Sequence, residues 1–96
     1  MLVKVKGYLT FRGLIGERQL RFGEGEAATL RELCRRLSGE CGPELGQAMY
    51  DPETGEPSRY VAVLVNGCHY THLPDGLDTE LKDQDEVAVF PPLAGG

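Results

Sequence analysis

An α+β fold, with one mixed β-sheet and one main helix packed across one of its faces, is predicted by three features of the sequence. Segments that alternate apolar and polar residues lie near both ends of the chain, and such alternation is typical of half-buried strands. Between them, one segment repeats its apolar residues at helical spacing. With 96 residues the chain provides one domain, because folding at this size hides about 60 to 68% of the unfolded surface.

The composition is that of an acidic globular protein. Apolar residues make up 41% and charged residues 26% of the chain, and the formal net charge is -5. Lys and Arg form no stripe that could bind a phosphate backbone, so nucleic acid is not expected as a ligand. No apolar run approaches the roughly 20 residues of a membrane span, and the N-terminus lacks the apolar core of a secretory signal. We therefore expect a cytoplasmic protein that does not contact a membrane.

A β-hairpin is predicted at the start of the chain. Apolar and polar residues alternate from Leu2 to Phe11, which predicts a strand with Val5 and Leu9 on its buried side and Tyr8 on the other. After a glycine-containing turn, Arg18–Phe22 alternates again. The two segments are therefore expected to pair.

The clearest helix signal follows this hairpin. Thr29 and Glu32 have the spacing of a capping box. The apolar residues that recur at i, i+3, i+4 and i+7 are Leu30, Leu33, Cys34 and Leu37. The pattern predicts a helix over Leu30–Ser38, with Gly39 as the residue that stops it.

The second half of the chain contains the remaining strands. Residues 40–59 are polar and rich in Gly and Pro, which predicts a surface excursion. The apolar run Tyr60–Val65 is typical of an interior strand covered on both sides, and Asn66-Gly67 is a strong hairpin signal. Cys68–Thr71 would then return as an edge strand.

The last predicted strand is Glu86–Phe90, and Pro91-Pro92 prevents further sheet pairing. The resulting order is strand, strand, helix, strand, short strand, strand, with the first and last strands central. A mixed sheet of four to five strands with this order is a β-grasp, or ubiquitin-like, arrangement. We expect residues 1–91 to form this domain and residues 92–96 to form an extended C-terminal tail.

No catalytic or metal-binding motif is present in the sequence. Hydrolase, phosphate-binding and zinc-protease signatures are all missing. His69 and His72 lie on or beyond a predicted strand, where positions three apart point to opposite faces, so a metal pair is not expected. Cys34 is expected in the helix core, whereas Cys41 and Cys68 have no assigned role, and three cysteines are too few for a ferredoxin-type cluster. We expect no cofactor or metal on this chain, and no enzymatic activity.

The C-terminal tail is the most unusual part of the sequence. Pro91 and Pro92 fix φ at two successive positions, so the tail would leave the sheet as a stiff stub. Gly95 and Gly96 lack side chains, so another protein could close around their backbone. The tail has the form expected of a chain terminus that enters a narrow active-site channel, although a frayed Gly-Gly end is also common.

Two stretches resemble a known family: Val63-Leu64-Val65-Asn66-Gly67, and the segment from Leu77 to Gly96, which ends in Phe-Pro-Pro-Leu-Ala-Gly-Gly. They resemble the ubiquitin-like sulfur carriers, which include MoaD, the small subunit of molybdopterin synthase, and the thiamine carrier ThiS. The layout of the whole chain agrees with this resemblance. The tail is closer to the molybdopterin branch, because thiamine carriers usually lack the Pro-Pro element.

The resemblance implies a chemistry for the carboxylate of Gly96. In this family an E1-like enzyme, of the MoeB, ThiF or HesA type, joins the terminal carboxylate to AMP from ATP. Sulfur then displaces AMP and leaves a thiocarboxylate. The thiocarboxylate would deliver sulfur to a pterin precursor on the large subunit of molybdopterin synthase, of the MoaE type, or to another acceptor. ATP and Mg would belong to the activating enzyme.

Partner-binding residues are predicted near the tail. If Val87 and Val89 face the helix, Phe90 faces outward beside Tyr8, and family members use the matching positions for docking. The predicted partner-binding residues are Tyr8, Phe90, Pro91, Pro92, Leu93 and Ala94. Carboxylates are crowded into residues 75–86, where they are either solvated or steer the carrier toward a basic partner.

Two alternatives remain open. The same activated glycine is used by ubiquitin-like modifiers that are attached to lysines, and by sulfur donors for tRNA thiolation, thiamine or cysteine synthesis. A β-grasp binding module with an inert Gly-Gly end would also fit. The sequence does not separate these possibilities, nor molybdenum from tungsten as the final metal.

Overall fold

The computed structural model describes residues 1–26 and 28–92. Its strands are β1 (Leu2–Gly7), β2 (Glu17–Arg21), β3 (Ala62–Val65), β4 (Cys68–His69) and β5 (Glu86–Phe90). Its α-helices are α1 (Phe11–Leu14), α2 (Leu30–Cys41) and α3 (Pro43–Met49), and 3-10 turns cover Tyr70–His72 and Gly76–Asp78. Within the described ranges, no helix has both the length and the apolar character needed to cross a membrane.

The strands form one mixed sheet in the order β2-β1-β5-β3-β4. The central pair β1 and β5 is parallel, with Val5 opposite Val87, and the other neighbouring strands are antiparallel. The parallel pair requires a crossover, and α2 lies in the segment that provides it. The predicted β-grasp fold, with its first and last strands at the centre, is confirmed.

Helix α2 covers one face of the sheet. The Thr29 hydroxyl accepts a hydrogen bond from the backbone N–H of Glu32 at 3.2 Å, which confirms the predicted cap. The leucines on the inner face, Leu30, Leu33 and Leu37, are completely buried. Burying each leucine side chain contributes about 1.5 to 3 kcal/mol, so this face stabilises the helix on the sheet.

The end of α2 differs from the prediction. The helix continues through Gly39 to Cys41, and it is Gly42 that leaves the helix, with φ of +94° and its N–H donating to the carbonyl of Ser38 at 3.1 Å. Pro43 then occupies the first turn of α3, where its missing N–H costs nothing. The stop at Gly39 is therefore wrong, because only Gly42 adopts the positive φ that ends the helix.

Residues 40–59 are not a surface excursion throughout. Their first part completes α2 and forms α3, in which Leu45 and Met49 are 0% exposed. The longest run of exposed residues in this segment is 52–56. The prediction is wrong for α3 because Leu45 and Met49, spaced four apart, lie on one helical face and join the core.

Strand β1 is shorter than predicted because of packing at Gly7. A Cβ atom on Gly7 would lie 2.5 Å from the carbonyl oxygen of Phe11 and 2.7 Å from Cβ of Ile15. The chain turns at this point, and α1 begins at Phe11, which is buried. Leu9, predicted on the buried side, is instead 55% exposed with φ of +54°.

Strands β3 and β4 also begin or end inside their predicted ranges. Tyr60 lies before β3 in a turn closed by the Val61 N–H, which donates to the carbonyl of Ser58 at 3.0 Å. The β3–β4 hairpin turns at Asn66 and Gly67, both with positive φ, as predicted. Pairing ends at His69, because the chain winds into a 3-10 turn after it.

Candidate functional site

The tail leaves the sheet at the end of its central strand. Here we use "tail root" for Phe90, Pro91 and Pro92. Pro91 is buried and Pro92 is exposed, and neither has an N–H for further pairing. The predicted site residues Leu93, Ala94, Gly95 and Gly96 lie outside the described residues. The structure therefore bears on the base of the tail and on the surface around it.

Tyr8 and Phe90 lie side by side at this base, as predicted. Their rings stack with centroids 4.4 Å apart and planes inclined by 11°. The stack follows from the register, since the Tyr8 N–H donates to the carbonyl of Val89 at 3.0 Å and continues the parallel β1–β5 pair. The Lys6 ammonium lies 5.1 Å from the centroid of the Tyr8 ring. The aromatic surface beside the tail root is therefore positioned by the two neighbouring strands, and a lysine ammonium lies next to it.

The stack belongs to a shallow groove on the sheet face opposite α2, which we call the open face. Residues that line the open face include Lys4, Lys6, Tyr8, Leu64, Ala88 and Phe90. Val87 and Val89 point the other way and are buried, so the predicted parity of β5 is confirmed. This face combines apolar side chains with two lysines, a mixture suited to protein contact.

Leu64 is an open-face residue that the sequence analysis missed. It pairs with Ala88 on β5, and Ala88 pairs with Lys6 on β1, so the three side chains form a row across the sheet. The prediction that β3 is covered on both sides is wrong, because only Val63 and Val65 are buried. The alternation of burial along this strand is hidden in the sequence because all four of its residues are apolar.

Electrostatic contacts on the open face are exposed and weak. The Lys6 ammonium lies 3.1 Å from a carboxylate oxygen of Glu17 on β2, and both side chains are largely in solvent. Exposed pairs of this kind contribute about 0 to 1 kcal/mol. Lys6 is therefore accessible to a partner.

The carboxylates of residues 75–86 hold the chain in place. Asp83 accepts a hydrogen bond from the backbone N–H of Leu2 at 2.8 Å. Asp85 accepts bonds from the Lys82 N–H at 2.7 Å and from the Asn66 side chain at 2.9 Å. These bonds fix the loop at the end of the sheet where β5 begins. The tail root lies at the other end of this strand. Steering of a basic partner stays a prediction.

Cys34 and Cys41 are not activated thiols. Burial raises the pKa of the Cys34 thiol to about 12, as expected for a helix-core residue. Burial also raises the pKa of Cys41. A higher pKa leaves less thiolate at neutral pH, so neither thiol is activated as a nucleophile.

His69 and His72 are closer than strand geometry predicts. Because residues 70–72 form a 3-10 turn, the two rings meet edge to face with centroids 6.4 Å apart. The His69 ring nitrogen Nδ1 accepts the backbone N–H of Thr71 at 3.2 Å. Within the described residues, no three potential ligands from His, Cys, Asp and Glu come together.

Comparison with known proteins gives the family. The model of the ThiS family matches residues 11–96. Small archaeal modifier protein 3 of Haloferax volcanii is 36% identical over 96 residues, the full length of both chains. The solution structure of small archaeal modifier protein 1 of Methanosarcina acetivorans is 27% identical with a TM-score of 0.81, covering 99% of this chain and 96% of that one.

A third relative comes from Pyrococcus furiosus and is provisionally named molybdopterin converting factor, subunit 1. It is 31% identical with a TM-score of 0.66, and the match covers 96% of this chain and 98% of that one. These relatives support a carrier protein rather than an enzyme, as the sequence predicts. The chain therefore belongs to the ThiS family of ubiquitin-like sulfur carriers.

Proposed function

We propose that this carrier works through the carboxylate of Gly96, which an E1-like enzyme adenylates and a sulfur donor then converts to a thiocarboxylate. The observation that carries the proposal is the tail root: the central strand β5 ends in Phe90, stacked on Tyr8, and continues into Pro91 and Pro92. A rigid base beside an aromatic surface would let a partner bind the domain while the tail enters the active site of that partner.

Adenylation is needed because a carboxylate is a poor electrophile. Attack of the Gly96 carboxylate on ATP forms an acyl adenylate and releases pyrophosphate. Sulfide-level sulfur (HS⁻) from the donor then attacks the acyl carbon, and the bond from this carbon to the AMP oxygen breaks, so AMP leaves and the thiocarboxylate remains. ATP and Mg are substrate and cofactor of the enzyme, and this chain supplies only the acyl group.

We propose molybdopterin synthesis as the destination of the sulfur. Support comes from the Phe-Pro-Pro-x-x-Gly-Gly tail and from the provisional name of the Pyrococcus relative. In this pathway the open face would dock on the large subunit of molybdopterin synthase, and the thiocarboxylate would reach a pterin precursor there. Deleting the gene should then abolish the activity of molybdenum or tungsten oxidoreductases, and the variant that lacks Gly96 should not restore it.

A second candidate is attachment to lysines of other proteins. The observation that favours it is the modifier name of the relative that is 36% identical over the full length of both chains. In that case the activated Gly96 would form an isopeptide bond with a lysine amine and release its leaving group. Conjugates of higher mass that survive reduction, and that require Gly96, would support this candidate over molybdopterin synthesis.

Adenylation by itself is tested by pyrophosphate release. The full-length chain, mixed with the E1-like enzyme of the source organism and ATP, should release pyrophosphate in proportion to the chain supplied. A β-grasp module with an inert tail would release none. The chain without Gly96 is the matched control.

A further inference from the structure

Leu9 combines two unfavourable features, an exposed apolar side chain and a positive φ. The residue is 55% exposed, although its side chain is apolar, and its backbone has a φ of +54°. A branched side chain is disfavoured in this left-handed region, where Gly or Asn would relieve the strain. Residues held in such conformations cluster at functional sites, where the strained residue is retained for what it contacts.

Leu9 lies beside the tail root. It follows β1 by two residues, and β1 runs parallel to β5 with Gly7 opposite Val89. The C-terminal ends of β1 and β5 therefore lie side by side at one end of the sheet. The turn that carries Leu9 is fixed by two backbone bonds, from Phe11 to Tyr8 at 2.9 Å and from Arg12 to Leu9 at 3.0 Å.

Tyr60 occupies the corresponding place on the other side of β5. It precedes β3 by two residues, and the first residue of β3, Ala62, is opposite Phe90. Tyr60 is 60% exposed, and its hydroxyl accepts a hydrogen bond from the Arg59 guanidinium at 2.8 Å. Among the described residues, the large apolar side chains that are most exposed are Met1, Leu9 and Tyr60, and two of the three flank the tail root.

The tail is so short that an enzyme bound to the Gly96 carboxylate must also contact the surface around the tail root. Four residues follow Pro92 in the sequence, and a fully extended chain spans at most about 3.3 to 3.6 Å per residue, so the Gly96 carboxylate can lie no more than roughly 14 Å from Pro92. An active site that bonds to the Gly96 carboxylate must therefore bring the mouth of its channel against the tail root and its neighbours.

We propose that Leu9 and Tyr60 form an apolar collar that packs against the mouth of the channel in the activating enzyme. This inference rests on the proposed adenylation of Gly96. The collar is distinct from the open face, since neither residue lines the groove that contains Tyr8 and Phe90. Its partner surface is an apolar ring around the entrance through which the tail passes.

The test separates enzyme binding from folding and from chemistry. Adenylation kinetics are measured by ATP–pyrophosphate exchange, using the full-length chain and the E1-like enzyme of the source organism. Leu9→Asn and Tyr60→Ser should each raise the KM for the carrier about tenfold with little change in kcat, because they remove binding contacts away from the reacting carboxylate. Leu9→Asn should also unfold at the same or a higher temperature.

Gln84 supplies a matched control for Leu9. It too is a non-glycine residue with positive φ, at +70°, but it lies in the loop before β5, at the end of the sheet opposite the tail root. Gln84→Asn should leave KM unchanged. Unchanged KM for both collar variants, with normal exchange by the wild-type chain, would overturn the collar alone. Absence of exchange with the wild-type chain would overturn the proposed function and the collar with it.

Discussion

The rings of Tyr8 and Phe90 stack at 4.4 Å across the parallel β1–β5 pair, although the two residues are more than eighty positions apart in the chain. The stack lies directly before Pro91. A partner that binds it would therefore hold the domain at the point from which the tail departs.

Phe90→Ala should weaken binding to the activating enzyme by about 1 to 3 kcal/mol, because interface energy concentrates in aromatic anchors. Loss of the stack should cost the fold only about 0.5 to 1.5 kcal/mol. Titration calorimetry measures the affinity, and Glu44→Ala, exposed on α3, is the control. Unaltered affinity would remove Phe90 from the site.

Leu45→Ala should lower the free energy of unfolding by about 2 to 5 kcal/mol, because it opens a cavity at a fully buried position in α3. Glu53→Ala, in the exposed part of residues 40–59, should change it by less than about 0.5 kcal/mol. Urea denaturation measures both. Equal, small effects would restore the interpretation of the whole segment as a surface excursion.

Gly7→Ala should destabilise the fold by about 1 to 3 kcal/mol, since its Cβ would overlap the carbonyl oxygen of Phe11. Gly39→Ala is the matched substitution inside α2, where a Cβ would meet nothing within 4 Å. It should stabilise the fold by about 0.5 to 1 kcal/mol. Thermal unfolding of the two variants should thus shift in opposite directions.

Stability should fall as the solution is made alkaline. Burial raises the pKa of Cys34 and of Tyr50 to about 12 each. In the unfolded chain these groups ionise near about 8.5 and 10, so between about pH 8.5 and 12 the unfolded chain releases protons that the folded chain retains. The stabilisation is complete below this window and is lost as pH rises through it.

The variants Cys34→Ala and Tyr50→Phe isolate this effect. Each removes one titrating group, so the free energy of unfolding should fall less steeply with pH than in the wild type. The measurement is urea denaturation at several pH values across the window. A slope that is the same in all three proteins would show that neither group is responsible.

The sequence predicts the fold well where local pattern and tertiary packing agree. The alternation of Glu86–Phe90 gives the correct bounds of β5 and the correct faces of its residues. Thr29 marks the start of α2 because the cap is a local interaction. The tail root and the Tyr8–Phe90 surface follow from the same strand parity.

Other features depend on contacts that sequence patterns do not contain. The turn after Gly7 is imposed by Phe11 and Ile15, which pack against it in three dimensions. Helix α3 has only a weak signal, namely Pro43 at its start and two apolar residues spaced four apart. The exposure of Leu9 could not be predicted, because the alternation assigned this residue to the core.

The most direct test of the account is the mass of the C-terminal peptide. With the activating enzyme, ATP and a sulfur donor, the intact chain should gain the mass of one sulfur-for-oxygen exchange at Gly96. Removal of Gly96 should abolish the gain, and so should extension by one residue, which moves the carboxylate by about 3.3 to 3.6 Å. Sulfur that persists in the shortened chain, or that maps to Cys34, Cys41 or Cys68 as a persulfide, would contradict the account.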